Sequence, residues 1–503
     1  MEQIPLMEVE KVSKLDLLSK EEIISRYETL EAGYIKALRE IIKLKNESLS
    51  DQQVQLWLNE QILSFQQEVF GASSERYKKP EEKKDTPLPP KPRIKKPSER
   101  YPHIPVREEK ISISPAPSCE VCGKEMMDSG MEEESEQLTV IPKKYEIIRV
   151  LRAKYRCTCQ ACLITAPMPP RIVPGSTYSD DMILDVVSSK YCDLIPMERY
   201  AAMAARGGLK DLPPQSLIDL THEVANFFKP IVDRIKEETL NTRVLYADET
   251  PHPMLEGSNK KSWYLWGFSN HRASYFECHP TRSGDVASEF LNKSLCEVLV
   301  SDKFTGYGRA IEKTNLEREK LGKEKIKQAY CNAHARRYFF KPRLLYPEAN
   351  TFLDHYNHIY RLESLAKGQD PPRILEIRAQ MRERFEAMRD HAYKDLPKYP
   401  YKNKYQTALR YFLENYQGLT YFLDHEDVPI DNNLQERALR SPVVGRKTWY
   451  GTHSEKGAAT AASLFTIIET CKLNLVNPRT YLPQVVKDLH GGINPIPPWD
   501  FNS

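Results

Sequence analysis

At 503 residues the chain is too long for one hydrophobic core, so several domains are expected. Hydrophobic content of 40% and charged content of 28% exclude a disordered or fibrous protein, and no apolar run is long enough to span a bilayer. A net charge of +3 says nothing for or against nucleic acid, so that argument rests on where the charges sit.

The N-terminus, Met1 to Glu10, is acidic and has no apolar stretch, so no signal peptide is expected. Tyr27, Leu30, Tyr34, Ala37, Ile41 and Leu44 keep a 3–4 spacing, and Leu58, Ile62, Phe65 and Val69 resume it. Such a seam needs burial against another helix. Residues 1–77 therefore read as a helical segment, either a hairpin closing on itself or a self-associating coiled coil. Residues 78–112 are rich in proline, lysine and arginine and read as a basic linker. Its clusters, such as Arg93 to Lys96, either touch phosphates or stay solvated.

Residues 113–172 hold Cys119-Glu-Val-Cys122-Gly123 and Cys159-Gln-Ala-Cys162, with strand-like sequence over 146–156 between them. Two thiolate pairs on two turns can close a tetrahedron around zinc. Cys157 is a spare thiol that can replace Cys159. So small a module has little core, and a metal would supply much of its folding energy. Paired cysteines of this kind fit a reducing cytosol better than a disulfide framework.

Residues 173–240 read as short helices, broken at Gly207-Gly208 and Pro213-Pro214. A helix-turn-helix and a plain helical spacer both stay open. Strands are predicted over Arg243–Asp248, Ser262–Phe268, Ala273–Cys278, Glu297–Asp302 and Ile326–Tyr330, with a capped helix from Ser283. Residues 345–425 are a long helical stretch. Residues 426–475 hold "VPIDNNLQERALR" (428–440) and a small-residue helix over 457–472, and 476–503 form a tail.

Two predicted strands each end in an aspartate, Asp248 and Asp302. Three strands, a crossover helix and a fourth strand can place the first and fourth strands side by side and parallel. The two acids then project from neighbouring strand ends, where open sheets put their sites. Carboxylates that close repel unless a cation lies between them or one is protonated. Hard oxygen ligands favour magnesium or manganese, and a two-metal site of this type suits phosphoryl transfer. Glu249 alternates to the opposite face, so the third acid must come from elsewhere, and Glu436 remains.

Six stretches then become specific together: "YADETP" (246–251), "HPTRSGDVASEFL" (279–291), "LVSDKFTGYGRA" (299–310), "CNAHARRYFF" (331–340), "IDNNLQERALRSPVVGRKTW" (430–449) and "SLFTIIETCKLN" (463–474). In this order they resemble the DDE transposases of the insertion sequence 66 family, over about residues 110–490. The N-terminal helix and the cysteine pairs are similar to that family's leucine-zipper and zinc-binding segments.

The resemblance implies a multidomain α+β protein. An RNase H-like core, a mixed sheet with flanking helices, would span 241–344 and 426–475, interrupted by the insertion at 345–425. Its acidic triad would be Asp248, Asp302 and Glu436, holding Mg²⁺ or Mn²⁺. The implied chemistry is strand cleavage by water at transposon ends, then attack of the freed 3′-hydroxyl on target DNA. Double-stranded DNA, further copies of the chain and small accessory proteins are the implied partners, in a bacterial cytoplasm at the nucleoid. Two positions depart from the family pattern, His252 after "DETP" and Asn332 in "CNAHARR". The first touches specificity near the site and the second local packing.

Other residues keep two readings. His334, Arg336 and Arg337 bind phosphate or act as structural polar groups. Arg437, Arg440, Arg446 and Lys447, beside Trp449 and Tyr450, form either a phosphate-facing strip or a solvated face. Cys331 and His334 have a metal-like spacing but no second pair in the sequence, so Cys331 reads as a buried thiol. Asn432 is expected to cap the helix after it with Gln435 reaching back, which frees Glu436 to turn toward the aspartates. Two alternative functions are a metal-dependent nuclease without strand transfer and a catalytically silent zinc-containing DNA-binding regulator.

Overall fold

The computed structural model describes residues 96–111, 117–118, 120–126, 133–156, 162–255, 262–399 and 403–501. The segment expected to be helical over 1–77 and most of the linker lie outside the described residues. The chain divides into two compact units, Ser73–Arg149 and the remainder.

In the smaller unit a single helical turn, Pro97–Arg100, opens on proline, where a missing N–H costs nothing. The Ser98 amide and hydroxyl donate to Glu136 at 2.8 and 2.7 Å. Lys96 pairs with Glu134 at 2.7 Å, so the one described residue of the basic cluster already has an acid beside it. Around Cys122 the chain reverses. Ser118 and Glu125 form an antiparallel bridge, and Gly123 takes φ +70°, a left-handed value that glycine adopts freely.

In the larger unit a hairpin pairs β1 (Lys154–Arg156) with β2 (Leu163–Thr165). The strand expected over 146–156 is thus confined to its last three residues, and 146–153 run exposed without a partner strand. Four helices follow: α1 (Asp180–Val187), α2 (Met197–Arg206), α3 (Pro214–Phe227) and α4 (Lys229–Leu240). Ser179 caps α1, its hydroxyl accepting the Met182 amide at 3.2 Å.

The centre is a five-stranded mixed sheet. Its strands are β3 (Val244–Pro253), β4 (Ser262–Ser269), β5 (Ser274–His279), β6 (Val298–Ser301) and β7 (Lys327–Tyr330). The order is β5-β4-β3-β6-β7. β3, β4 and β5 run antiparallel as a meander, whereas β3, β6 and β7 run parallel. The parallel steps need crossovers, supplied by α5 (Gly284–Lys293) and α6 (Thr305–Lys320). These two helices cover one face, with Phe290 stacked on Phe268 at 3.9 Å and Tyr307 edge-on to Trp266. They approach so closely that a Cβ on Gly284 would lie 2.3 Å from the Gly306 carbonyl oxygen.

β3 runs five residues past Asp248, where the sequence suggests a strand end. Pro251 and Pro253 disguise this continuation. They are tolerated because β6 has stopped pairing by then and only the β4 ladder continues.

After β7 comes α7 (Asn332–Phe340), then the helices α8 (Ala349–Ala366), α9 (Pro371–Asp395), α10 (Lys404–Glu414) and α11 (Tyr416–Thr420). They share one core with the sheet. Val244, Val298, Val300 and Ala329 from the strands join Phe339, Phe352, Phe385 and Phe412. Arg378 ties α9 to the returning chain. Its guanidinium donates to the carbonyls of Phe422, His425 and Val428 at 2.8, 2.6 and 3.0 Å and pairs with Glu363 at 2.6 Å. Asn332 does the same from α7, bonding the carbonyls of Leu419 and Ile430. Its buried amide therefore has a packing role, as expected.

The chain returns through α12 (Asn433–Ala438), α13 (Arg440–Trp449), α14 (Glu455–Leu473) and α15 (Pro478–His490). The small residues of α14 let it lie against β5. Thr466 and Thr470 hydroxyls accept the Phe276 and Ser274 amides at 2.9 and 3.1 Å. Across α14, Thr460 meets His222 of α3 at 2.7 Å, which joins the α1–α4 segment to the sheet.

Candidate active site

The last parallel pair between β3 and β6 is Tyr246 with Val300. Asp248 and Asp302 each lie two residues beyond it, so the register sets the two acids side by side. β6 stops because the Asp302 carboxylate turns back to accept the Phe304 amide at 2.9 Å, opening α6. On its other side Asp248 is directly opposite Gly267 of β4, so both share one face of the sheet.

α12 sits on that face. Gln435 is fully buried, and its side-chain amide occupies the space where Gly267 lacks a Cβ; its oxygen accepts from the Ser269 hydroxyl. Asn432 donates to the Ala247 carbonyl at 2.9 Å. Asn432 does occupy the N-cap position, and the Glu436 amide makes the first helical bond to its carbonyl. The capping box itself is not made. Both amide side chains are drawn to the sheet, where they satisfy groups a surface cap would leave unpaired. Asp431 accepts the Asn433 amide instead. Glu436, next to Gln435, lies against Cys331 and His334, close enough to Asp248 for its charge to act there.

The electrostatics agree with this placement. The Asp248 carboxyl is pushed up to about 8, chiefly by burial, then by the negative charges of Glu249, Asp302 and Glu436. Among the described residues no lysine or arginine pairs with Asp248, Asp302 or Glu436. Among the described residues these three carboxylates do not gather within 4.8 Å of one another, but a hard divalent cation is what would relieve their mutual repulsion. Glu249 points the other way, as strand alternation requires. It is buried, accepting from Arg282 at 2.7 Å and Tyr307 at 2.6 Å. Burial raises its carboxyl too, against those two bonds. Arg282 and Tyr307 fall inside two of the six motifs, yet their pairing with Glu249 joins positions far apart in sequence and has no local signature.

Comparison with known proteins decides the family. A profile described as Transposase IS66 family matches residues 175–460. The chain belongs to this family. Three proteins of Sinorhizobium fredii (strain NBRC 101917 / NGR234) are similar to it, each described as uncharacterized. Protein y4qI is 29% identical over 415 residues, covering 77% of this chain and 75% of that protein. Protein y4hP is 24% identical over 405 residues, covering 76% and 72%. Protein y4jD is 25% identical over 428 residues, covering 80% and 81%. Membership in a transposase family makes DNA the partner and nucleotidyl transfer the general reaction.

The remaining expected residues of this IS66-family chain fall into three groups. Arg437, Arg440 and Lys447 are exposed and, among the described residues, form no ion pair. Arg446 is half-buried and reaches the Thr250 hydroxyl at 2.9 Å, two residues beyond Asp248. It lies close enough to His252 that its charge adds to burial in holding that imidazole down at about 4. His252 is buried against the Thr452 hydroxyl at 3.1 Å, tying β3 to the loop after α13.

Arg336 and Arg337 are half-buried on α7, with Arg336 over the Phe340 ring. His334, one turn earlier, has Nδ1 3.5 Å from Glu436 Oε1, and the Cys331 sulfur is 3.9 Å from the same oxygen. The Cys331 thiol is buried, which pushes it up to about 12. Cys122 and Cys162 are exposed free thiols, whereas Cys119, Cys157 and Cys159 lie outside the described residues. A cavity of about 370 Å³ follows Asp302 along the first turns of α5 and α6, lined by Arg282, Arg309 and Lys313 with Asp285.

No helix among the described residues is long and apolar enough to cross a membrane.

Proposed function

We propose that the chain is a DDE-type DNA transposase, with Asp248, Asp302 and Glu436 as its catalytic acids on an RNase H-like core. The observation that supports this best is the register. Asp248 and Asp302 each follow the last parallel pair of neighbouring strands by two residues, and the negative charge of Glu436 is felt at Asp248. The strand order β5-β4-β3-β6-β7 and the two crossover helices support the RNase H-like reading.

Divalent magnesium or manganese, when bound by the three carboxylates, activates the attacking oxygen and stabilises the leaving one. The chain's own residues supply position and charge. α12 fixes Glu436 through the buried Gln435 and Asn432 contacts. Glu249, Arg282 and Tyr307 brace β3 from behind. Arg437, Arg440, Arg446 and Lys447 offer donors to the phosphodiester backbone. Water attacks phosphorus at the transposon end, the P–O bond to the 3′ oxygen breaks, and a 3′-hydroxyl is freed. That hydroxyl then attacks a target phosphodiester, forming one P–O bond as another breaks. The paired cysteines, Cys119 with Cys122 and Cys159 with Cys162, are read from their spacing as ligands to a structural zinc, with Cys157 as substitute for Cys159.

Purified protein with labelled element-end DNA, target plasmid and Mg²⁺ or Mn²⁺ tests the reading. Joined products are expected, and Asp302→Ala should abolish them. Nicks without joining would replace strand transfer with simple hydrolysis, and joining by Asp302→Ala would remove that residue from the triad. Bound zinc should fall when Cys119 and Cys122 become serine, and unchanged metal content would remove the zinc reading.

A further inference from the structure

Glu436 faces two other groups of metal-ligand type besides the aspartates. Cys331 follows β7 as the N-cap of α7, and His334 lies in the first turn of that helix, so the β7–α7 junction brings a sulfur and an imidazole to one spot. α12 brings Glu436 to it across the whole helical insertion. One ligand atom from each lies within 4.8 Å of the others. The Glu436 Oε1 contacts are 3.5 Å to His334 Nδ1 and 3.9 Å to the Cys331 sulfur. Around a tetrahedral zinc with bonds of about 2.0–2.3 Å, ligand atoms lie roughly 3.3–3.6 Å apart. The three side chains therefore need only small movements to close on an ion.

Two further features point to a ligand. His334 Nδ1 is a buried atom that makes no hydrogen bond, its neighbour being the Glu436 carboxylate at 3.5 Å, and a metal bond would satisfy it. The Cys331 sulfur accepts the Asn432 amide at 3.3 Å, the kind of contact that stabilises a metal-bound thiolate. We propose that Cys331, His334 and Glu436 form a second metal site for a borderline-soft cation of the zinc or cobalt class, separate from the hard-cation site at Asp248 and Asp302. Sulfur and imidazole ligands exclude magnesium as the preferred occupant. Three protein ligands leave the fourth tetrahedral position open to water. Both contacts use Oε1 of Glu436, so Oε2 is left for the aspartate site and the carboxylate bridges the two. This last link, and only it, rests on the assignment of Glu436 to the catalytic acids.

Cobalt titration of the metal-free full-length chain tests the site, because Co²⁺ bound to a thiolate gives a near-ultraviolet charge-transfer band. The N-terminal cysteines also take cobalt, so variants are compared with wild type. Cys331→Ser and His334→Ala should each bind one fewer equivalent and lose part of the band. Asp248→Asn should bind the cysteine-linked equivalent with an unchanged band while losing DNA joining. Glu436→Gln should lose both band intensity and joining. His334→Ala guards against misfolding of the buried Cys331→Ser, since His334 is partly exposed. Equal stoichiometry and equal spectra in wild type, Cys331→Ser and His334→Ala would overturn the second site. Loss of joining in Asp248→Asn with an intact band separates failure of one site from failure of the other.

Discussion

Gly267 shows how much one missing methyl can decide. A Cβ there would fall 1.9 Å from Gln435 Nε2 and 2.9 Å from the Phe276 ring. Gln435 is fully buried, so Gly267→Ala displaces its amide and, through it, is expected to shift α12 on the sheet. Overpacking of this kind costs about 1–3 kcal/mol. The larger effect is expected on activity, because Glu436 rides on α12, and misplacement by about 1 Å can cost roughly 100-fold. Retained circular dichroism with end cleavage reduced at least roughly tenfold is the expected result; full activity would detach Gln435 from the positioning of Glu436.

Asp248 carries the second residue-scale prediction. Its carboxyl sits at about 8 in the folded chain and near 3.9 unfolded. Between those values the folded state holds a proton that the unfolded state has released. Stability of the metal-free protein therefore falls as pH rises through that window, and the cost is complete above it. Asp248→Asn removes the cost. In EDTA at pH 8 the variant should melt above wild type, and Mg²⁺ should raise the wild-type Tm more than the variant's. A variant melting below wild type in EDTA would contradict this.

At the scale of elements, two joints are specific enough to break singly. Arg378 is the only described cation among the carbonyls of residues 422–428, and its side chain is 4% exposed. Arg378→Met leaves those carbonyls and Glu363 unsatisfied, which should cost about 3 kcal/mol or more, read as a lowered midpoint in urea unfolding. Thr466→Val keeps the shape of α14 but orphans the buried Phe276 amide, and a loss of about 1–3 kcal/mol is expected. An unchanged midpoint would mean that water reaches that amide.

These joints also mark what the sequence could show. Apolar runs reveal β3, β4, β5, β6 and β7, and the acids that end two of them are visible for the same reason. The positions of the Glu436 side chain's neighbours are not visible in this way. Gln435 meets Ser269, Asn432 meets Ala247 and Cys331 meets Glu436, each across more than a hundred residues. Local spacing suggests a capping box at Asn432 because a cap is the best local use of those amides. Tertiary packing takes them instead, although it leaves Asn432 Oδ1 and Gln435 Nε2 buried without a partner.

For the whole molecule, the helices between the second and third acids share their core with the sheet, Phe339, Phe352, Phe385 and Phe412 lying with Val244, Val298 and Val300. Replacing residues 345–425 with a short linker should therefore expose the sheet and yield no cooperatively folded protein. A soluble, cooperatively melting product would show that the sheet stands alone. The margins of that sheet have a consequence of their own. At one margin the β5 amides are taken by Thr466 and Thr470; at the other, α11 lies so close over Tyr330 that a Cβ on Gly418 would be 2.3 Å from its ring. A strand from another molecule can add beside β5 only by displacing α14, so what that margin offers a partner is a surface of side chains.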